Sequence, residues 1–131
     1  MTLKFFLPML PPTATAQEHK LNARGKRPRV YDPPAVREAR AKLESHLAAH
    51  APQEPFAGAV RLVVKWLFPA EGRHPDGSYK TSRPDTDNLE KALKDEMTRL
   101  GFWRDDAQVA SEIVEKFYAG IPGIYIEVHA L

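Results

Sequence analysis

The chain has 131 residues, 43% hydrophobic and 27% charged, the balance of one soluble globular domain with its own core rather than of a disordered segment. A formal charge of +2 is too small to name a partner, so the distribution of charge has to do that. Cysteine is absent, which excludes disulfides, thiolate metal sites and a cysteine nucleophile and leaves oxygen or imidazole to hold any metal.

In chain order, Thr2 to Leu7 reads as a short strand ended by Pro8 and Pro11-Pro12. The same start lacks a secretory leader's long apolar core, and no apolar run approaches the roughly 18 residues of a membrane span. A cytoplasmic protein without a membrane partner is expected. Thr13 to Tyr31 keeps neither period and carries Lys20, Arg24, Lys26, Arg27 and Arg29 around Gly25 and Pro28, a long basic loop of the kind that is usually functional. Asp32-Pro33-Pro34 then opens a helix with Val36, Ala39, Leu43 and Leu47 on one stripe, running to about His50. His46 and His50 share a face of it, but no third ligand lies near in sequence, so a solvated face is the better reading.

Phe56 to Phe68 alternates strictly, with Val60, Leu62, Val64, Trp66 and Phe68 on one parity and Arg61 and Lys65 on the other. This is the best strand in the chain. A turn-rich basic loop with Arg73, His74, Lys80 and Arg83 follows and delivers the chain to Asp85. The second helix is expected from about Asp87 or Asn88, with Leu89, Ala92, Leu93, Met97 and Leu100 on its stripe, a capping box between Asp87 and Glu90, and Gly101 as its stop. Lys91 should lie within reach of Asp87 on the same face. Gln108 to Tyr118 and Gly123 to Leu131 read as two strands of an antiparallel hairpin turning at Gly120-Ile121-Pro122-Gly123. The expected fold is α+β, a single domain over residues 1–131 with a mixed sheet of about four strands packed against two helices.

The densest chemistry lies at the two ends of the second helix. Asp85 and Asp87 stand at its mouth, and Asp105-Asp106 stand just past its end, where helix electrostatics favours cations instead. Taken singly, each has an ordinary reading: Asp87 as a cap, Asp105-Asp106 as a solvated turn, Lys91 as a surface lysine, Phe102 and Trp103 as packing or interface. Together, a cluster of aspartates is what a hard cation such as magnesium requires, with water and substrate phosphate completing its shell. A straight helix separates the two pairs by roughly 20 Å, so convergence needs the following segment to double back or a partner subunit to supply the second pair.

The string Arg83-Pro84-Asp85-Thr86-Asp87-Asn88-Leu89-Glu90-Lys91, followed by Leu100-Gly101-Phe102-Trp103-Arg104-Asp105-Asp106-Ala107-Gln108-Val109, resembles the signature of the RusA-type Holliday junction resolvases. The resemblance implies a RusA-like fold, with Asp85, Asp87 and Asp106 as metal-binding catalytic aspartates, Asp105 beside them as a further metal ligand, and Lys91 as the catalytic lysine. It implies magnesium, with manganese as a substitute, and a homodimer that makes paired nicks in four-way DNA during recombination and repair. The alternative is a module that binds junctions without cutting them. Lys20, Arg24, Lys26, Arg27, Arg29, Arg73, Lys80 and Arg83 are the basic residues expected to draw the DNA in. One departure stands in the first loop, where Pro11-Pro12-Thr13-Ala14-Thr15-Ala16 lacks the family's usual asparagine. Phe5, Phe102 and Trp103 are the candidates for a dimer interface.

Overall fold

The most regular alternation in the sequence becomes an inner strand of the sheet. The computed structural model describes residues 1–13 and 34–131. In these the order is β1 (Thr2–Leu7), α1 (Pro34–Ala48), β2 (Val60–Pro69), α2 (Thr86–Arg99), a single 3-10 turn (Asp106–Gln108), β3 (Val109–Ala119) and β4 (Gly123–Ala130). The sheet runs β1-β4-β2-β3, so β2 and β4 are inner strands, and the α+β reading of four strands and two helices holds. Val60, Leu62, Val64 and Trp66 of β2 are fully buried, as are Ile124, Ile126 and Val128 of β4. They meet Leu43 and Leu47 of α1 and Leu89, Leu93 and Met97 of α2 in one core. Arg61 and Lys65, on the other parity, are exposed.

The expected hairpin between the last two strands does not form. β3 pairs parallel with β2, and β4 pairs antiparallel with both β2 and β1. The reason is the helix between β2 and β3: parallel neighbours need a crossover of this kind, and α2 buries its stripe by lying on the sheet. The short link after β3 therefore passes over the end of β2, crossing two strand spacings, or roughly 10 Å. At its far side Gly123 sits so close to β1 that a Cβ would run into the Phe6 ring and the Leu7 carbonyl oxygen. The second strand also begins later than its alternation suggests. Phe56 makes only an isolated parallel bridge to Trp103, and the ladder starts at Val60.

Phe5, Phe102 and Trp103 belong to the core and so are not free to form a dimer interface. Phe5 packs on Phe102, with ring centroids 6.0 Å apart, and stacks on His50 at 4.4 Å. That ring contact gives His50 an aromatic role in place of the solvated face expected. Trp103 donates its indole N–H to Thr98 Oγ1 at 2.7 Å.

Candidate active site

At the mouth of α2, Asp85 is the N-cap by backbone conformation, with φ −75° and ψ 150°, but its side chain makes no capping bond. Its carbonyl oxygen accepts from Leu89 N–H at 3.1 Å. The helix thus starts at Thr86, a residue or two before the expected start. Asp87 falls inside the first turn and cannot form the expected capping box with Glu90. Glu90 instead turns inward beside Leu89, and its Oε1 accepts the indole N–H of Trp66 at 2.9 Å. Its Oε2 is buried without a partner among the described residues. Burial pushes this carboxyl up to about 8, opposed by the Trp66 bond, with Glu112 adding to the rise and Lys94 countering it. Glu90 is therefore mostly a neutral acid at pH 7.

The far end of α2 is closed differently. Phe102 N–H donates to Met97 O at 3.0 Å and Gly101 N–H to Thr98 O at 3.1 Å, a Schellman closure whose left-handed residue is Gly101, with φ 84°. The chain then dips Phe102 and Trp103 into the core and surfaces at Asp105. Here a capping box does form: Asp105 Oδ1 accepts from Ala107 N–H at 2.9 Å, and Gln108 Oε1 accepts from Asp105 N–H at 3.2 Å. Gln108 also donates through Nε2 to the carbonyls of Phe56 (2.8 Å) and Gly58 (3.0 Å). The turn that carries Asp106 is thereby tied to the segment entering β2.

From that turn β3 runs back along α2. Lys94 grips both oxygens of Glu112, at 3.1 and 3.2 Å, and Lys116 reaches Pro84 at the helix mouth. Doubling back within one chain thus lays β3 alongside α2, and of the two acidic pairs only Asp87 and Asp106 come onto a common pocket. The groove between α2 and β3 holds a pocket of about 330 Å³ lined by Asp87, Glu90, Lys91, Lys94, Asp106 and Glu112, with Thr86 and Val114. Neither the Asp87 nor the Asp106 side chain has a hydrogen-bond or ion-pair partner among the described residues. Lys91 lies 3.8 Å from Asp95, one turn on, rather than on Asp87. Asp85 and Asp105 do not line this pocket. Asp105 and Asp106 share a second, charge-balanced pocket with Arg40, Arg99, Arg104 and Asp95.

Of the basic residues expected to meet DNA, Arg73 and Arg83 are exposed, and Lys80 lies over the rings of Phe68 and Tyr118, at 5.0 and 5.1 Å. Lys20, Arg24, Lys26, Arg27 and Arg29 fall outside the described residues, as does the Asp32 cap. Sequence reasoning missed Glu90, Lys94, Glu112, Gln108 and Lys116. The signal for Gln108 is present in the sequence: Asp105 and Gln108 stand three apart, the same capping-box spacing as Asp87 and Glu90.

Among the described residues no three Asp, Glu or His side chains are gathered closely enough to hold a metal by themselves. Two unpartnered carboxylates on one pocket, with a buried acid whose oxygen lacks a partner, still fit a hard cation that takes one or two carboxylates and fills its shell with water and phosphate. No helix among the described residues is long and apolar enough to cross a membrane.

An acidic pocket edged by lysines, beside a four-stranded mixed sheet, is the site that this α+β domain presents. The family profile described as Endodeoxyribonuclease RusA matches residues 9–129, and the chain belongs to that family. Among curated proteins it is similar to the crossover junction endodeoxyribonuclease rusA of Lactococcus phage r1t, 38% identical over 69 residues. That match spans 51% of this chain and 53% of the relative, about half the length of each.

Proposed function

We propose that this chain is a magnesium-dependent endodeoxyribonuclease that resolves four-way DNA junctions in the cytoplasm, as a homodimer, by paired hydrolysis in recombination and repair. The observation that supports it most is that Asp87 and Asp106, from opposite ends of α2, line one pocket with Lys91 and Lys94. The cation would be held by Asp87 and Asp106, with Asp85 nearest the helix mouth, and when bound it supplies a polarised phosphate oxygen and a water of lowered pKa. Manganese would serve in its place.

Lys91 and Lys94 set positive charge on the groove wall where a transferred phosphoryl group gathers negative charge, a preorganised interaction of the kind that contributes most to catalysis. The Lys94–Glu112 pair fixes one of these lysines, while Lys91, largely exposed, can leave Asp95 for substrate. The basic loop with Arg73, Lys80 and Arg83 offsets the repulsion between DNA and the aspartates, at the cost of steep salt dependence. Hydrolysis would leave a 5′-phosphate and a 3′-hydroxyl. Two copies related by a two-fold axis would place one such site on each of two opposed strands.

A synthetic four-way junction, labelled on one strand at a time and incubated with magnesium or with chelator, tests this on denaturing gels. Symmetric nicks in opposed strands that require the metal are expected. Tight junction binding with no nicks in magnesium or manganese would overturn the nuclease reading in favour of a binding module.

A further inference from the structure

Asp85 has no side-chain bond to fix it to the helix that it opens. What holds it is the backbone just before it, and that backbone is held from another strand. Lys116, on β3, donates from Nζ to the carbonyl of Ser82 at 2.8 Å and to that of Pro84 at 2.7 Å. Lys80 closes the same knot: its N–H donates to Lys116 O at 3.0 Å and its Nζ to Ser82 Oγ at 2.8 Å. We propose that Lys116 is a positioning residue for Asp85, clamping the Ser82–Pro84 approach to β3 so that this carboxylate is held in place at the mouth of α2.

The inference rests on the nuclease reading of Asp85. It adds a residue outside both acidic motifs, 31 positions beyond Asp85 in the sequence. An ammonium has three donors, and two are spent on backbone carbonyls that the loop's own turns leave unmatched. The side chain is also electrically joined to the site. Burial and the neighbouring Lys80 draw its pKa down, while Asp85 draws it back up, so the carboxylate helps keep charged the group that aims it. A neutral side chain of similar length would give up both the clamp and that charge.

The test uses the full chain and compares Lys116→Gln, Lys116→Met, Lys116→Arg and Asp85→Asn. The readouts are the magnesium dependence of junction nicking, the magnesium-induced rise in Tm without DNA, and junction affinity in chelator. The expected result for both uncharged variants is a kcat at least ~10-fold lower and a half-saturating magnesium concentration about 5-fold higher, with junction affinity within ~3-fold of the parent. Lys116→Arg, which can reach two carbonyls, should restore most of the rate. Adding Lys116→Gln to Asp85→Asn should reduce the magnesium-induced Tm rise no further, because both act on one carboxylate.

An unchanged kcat and magnesium dependence, or a loss confined to junction affinity, would overturn the positioning role and leave Lys116 a plain DNA contact. If both uncharged variants unfold while Lys116→Arg is native, the clamp belongs to folding and the proposal fails. Asp85→Asn cutting like the parent would overturn the reading of Asp85 itself, and the proposal with it.

Discussion

The two acidic segments that bracket α2 look alike in sequence and are spent differently. Asp87 and Glu90 have the same spacing as Asp105 and Gln108, yet only the second pair forms a capping box. At the helix mouth the backbone donors do without a side-chain cap, so Asp85 and Asp87 stay unengaged and Glu90 is diverted into the core. At the far end one aspartate is consumed in holding the turn, which frees its neighbour Asp106 for the pocket. A carboxylate that is busy with backbone cannot also serve a ligand fully, and on the proposed reading this division separates Asp105, which holds the turn, from Asp87 and Asp106.

Breaking the working side should have the largest effect. Asp87→Asn or Asp106→Asn is expected to lower metal-dependent nicking by ~10³-fold or more, with junction binding retained, measured by single-turnover cleavage beside a gel-shift titration. Equal loss of binding and cutting would mean that these residues only support the fold.

Glu90 gives the next largest effect, and it appears in stability rather than rate. Its carboxyl holds a proton more tightly in the folded chain (about 8) than an ordinary glutamate does at 4.5. Its contribution is therefore full below pH 4.5 and is lost as pH rises toward 8. Within that window the parent should lose roughly 1 kcal/mol per pH unit that Glu90→Gln does not. Urea melts of both proteins at several pH values, without divalent metal, check this; parallel curves would rule out a buried neutral acid.

Asp105 sharpens the contrast further. Asparagine also caps, so Asp105→Asn should keep stability and most activity, whereas Asp105→Ala should cost about 1 kcal/mol in a thermal melt. Complete inactivity of Asp105→Asn would instead support Asp105 as a metal ligand. Smallest of all, Asp95→Asn removes only the exposed pairing with Lys91 and should shift stability by no more than ~0.5 kcal/mol. A larger change would show that the pair organises the groove.

Much of this was legible in the residues. The alternation of Val60 to Phe68 and the stripe of Leu89, Leu93 and Met97 are local patterns, and both became core. The spacing from Asp85 to Asp106 carried the family. What the sequence hid was non-local. The place of β3 beside β2 depends on how the crossover helix packs, and a turn motif at Gly120-Ile121-Pro122-Gly123 reads the same in a hairpin as in a link that skips a strand. Glu90 was misread because a helix start displaced by one or two residues moves a polar position from the rim to the buried face. Glu112 and Lys116 carried no motif at all; their roles arise from a strand running antiparallel to a helix, which no window of sequence contains.

Both tryptophans of the chain are bonded to the same helix, Trp66 to Glu90 near its mouth and Trp103 to Thr98 in its last turn. Indole emission responds to the charge and polarity around the ring, so the helix that spans the site carries its own optical label at each end. Replacing one tryptophan at a time by phenylalanine would separate the two signals. Light from Trp66 would then follow events at the acidic pocket, and light from Trp103 the turn that presents Asp106, in unlabelled protein and in real time.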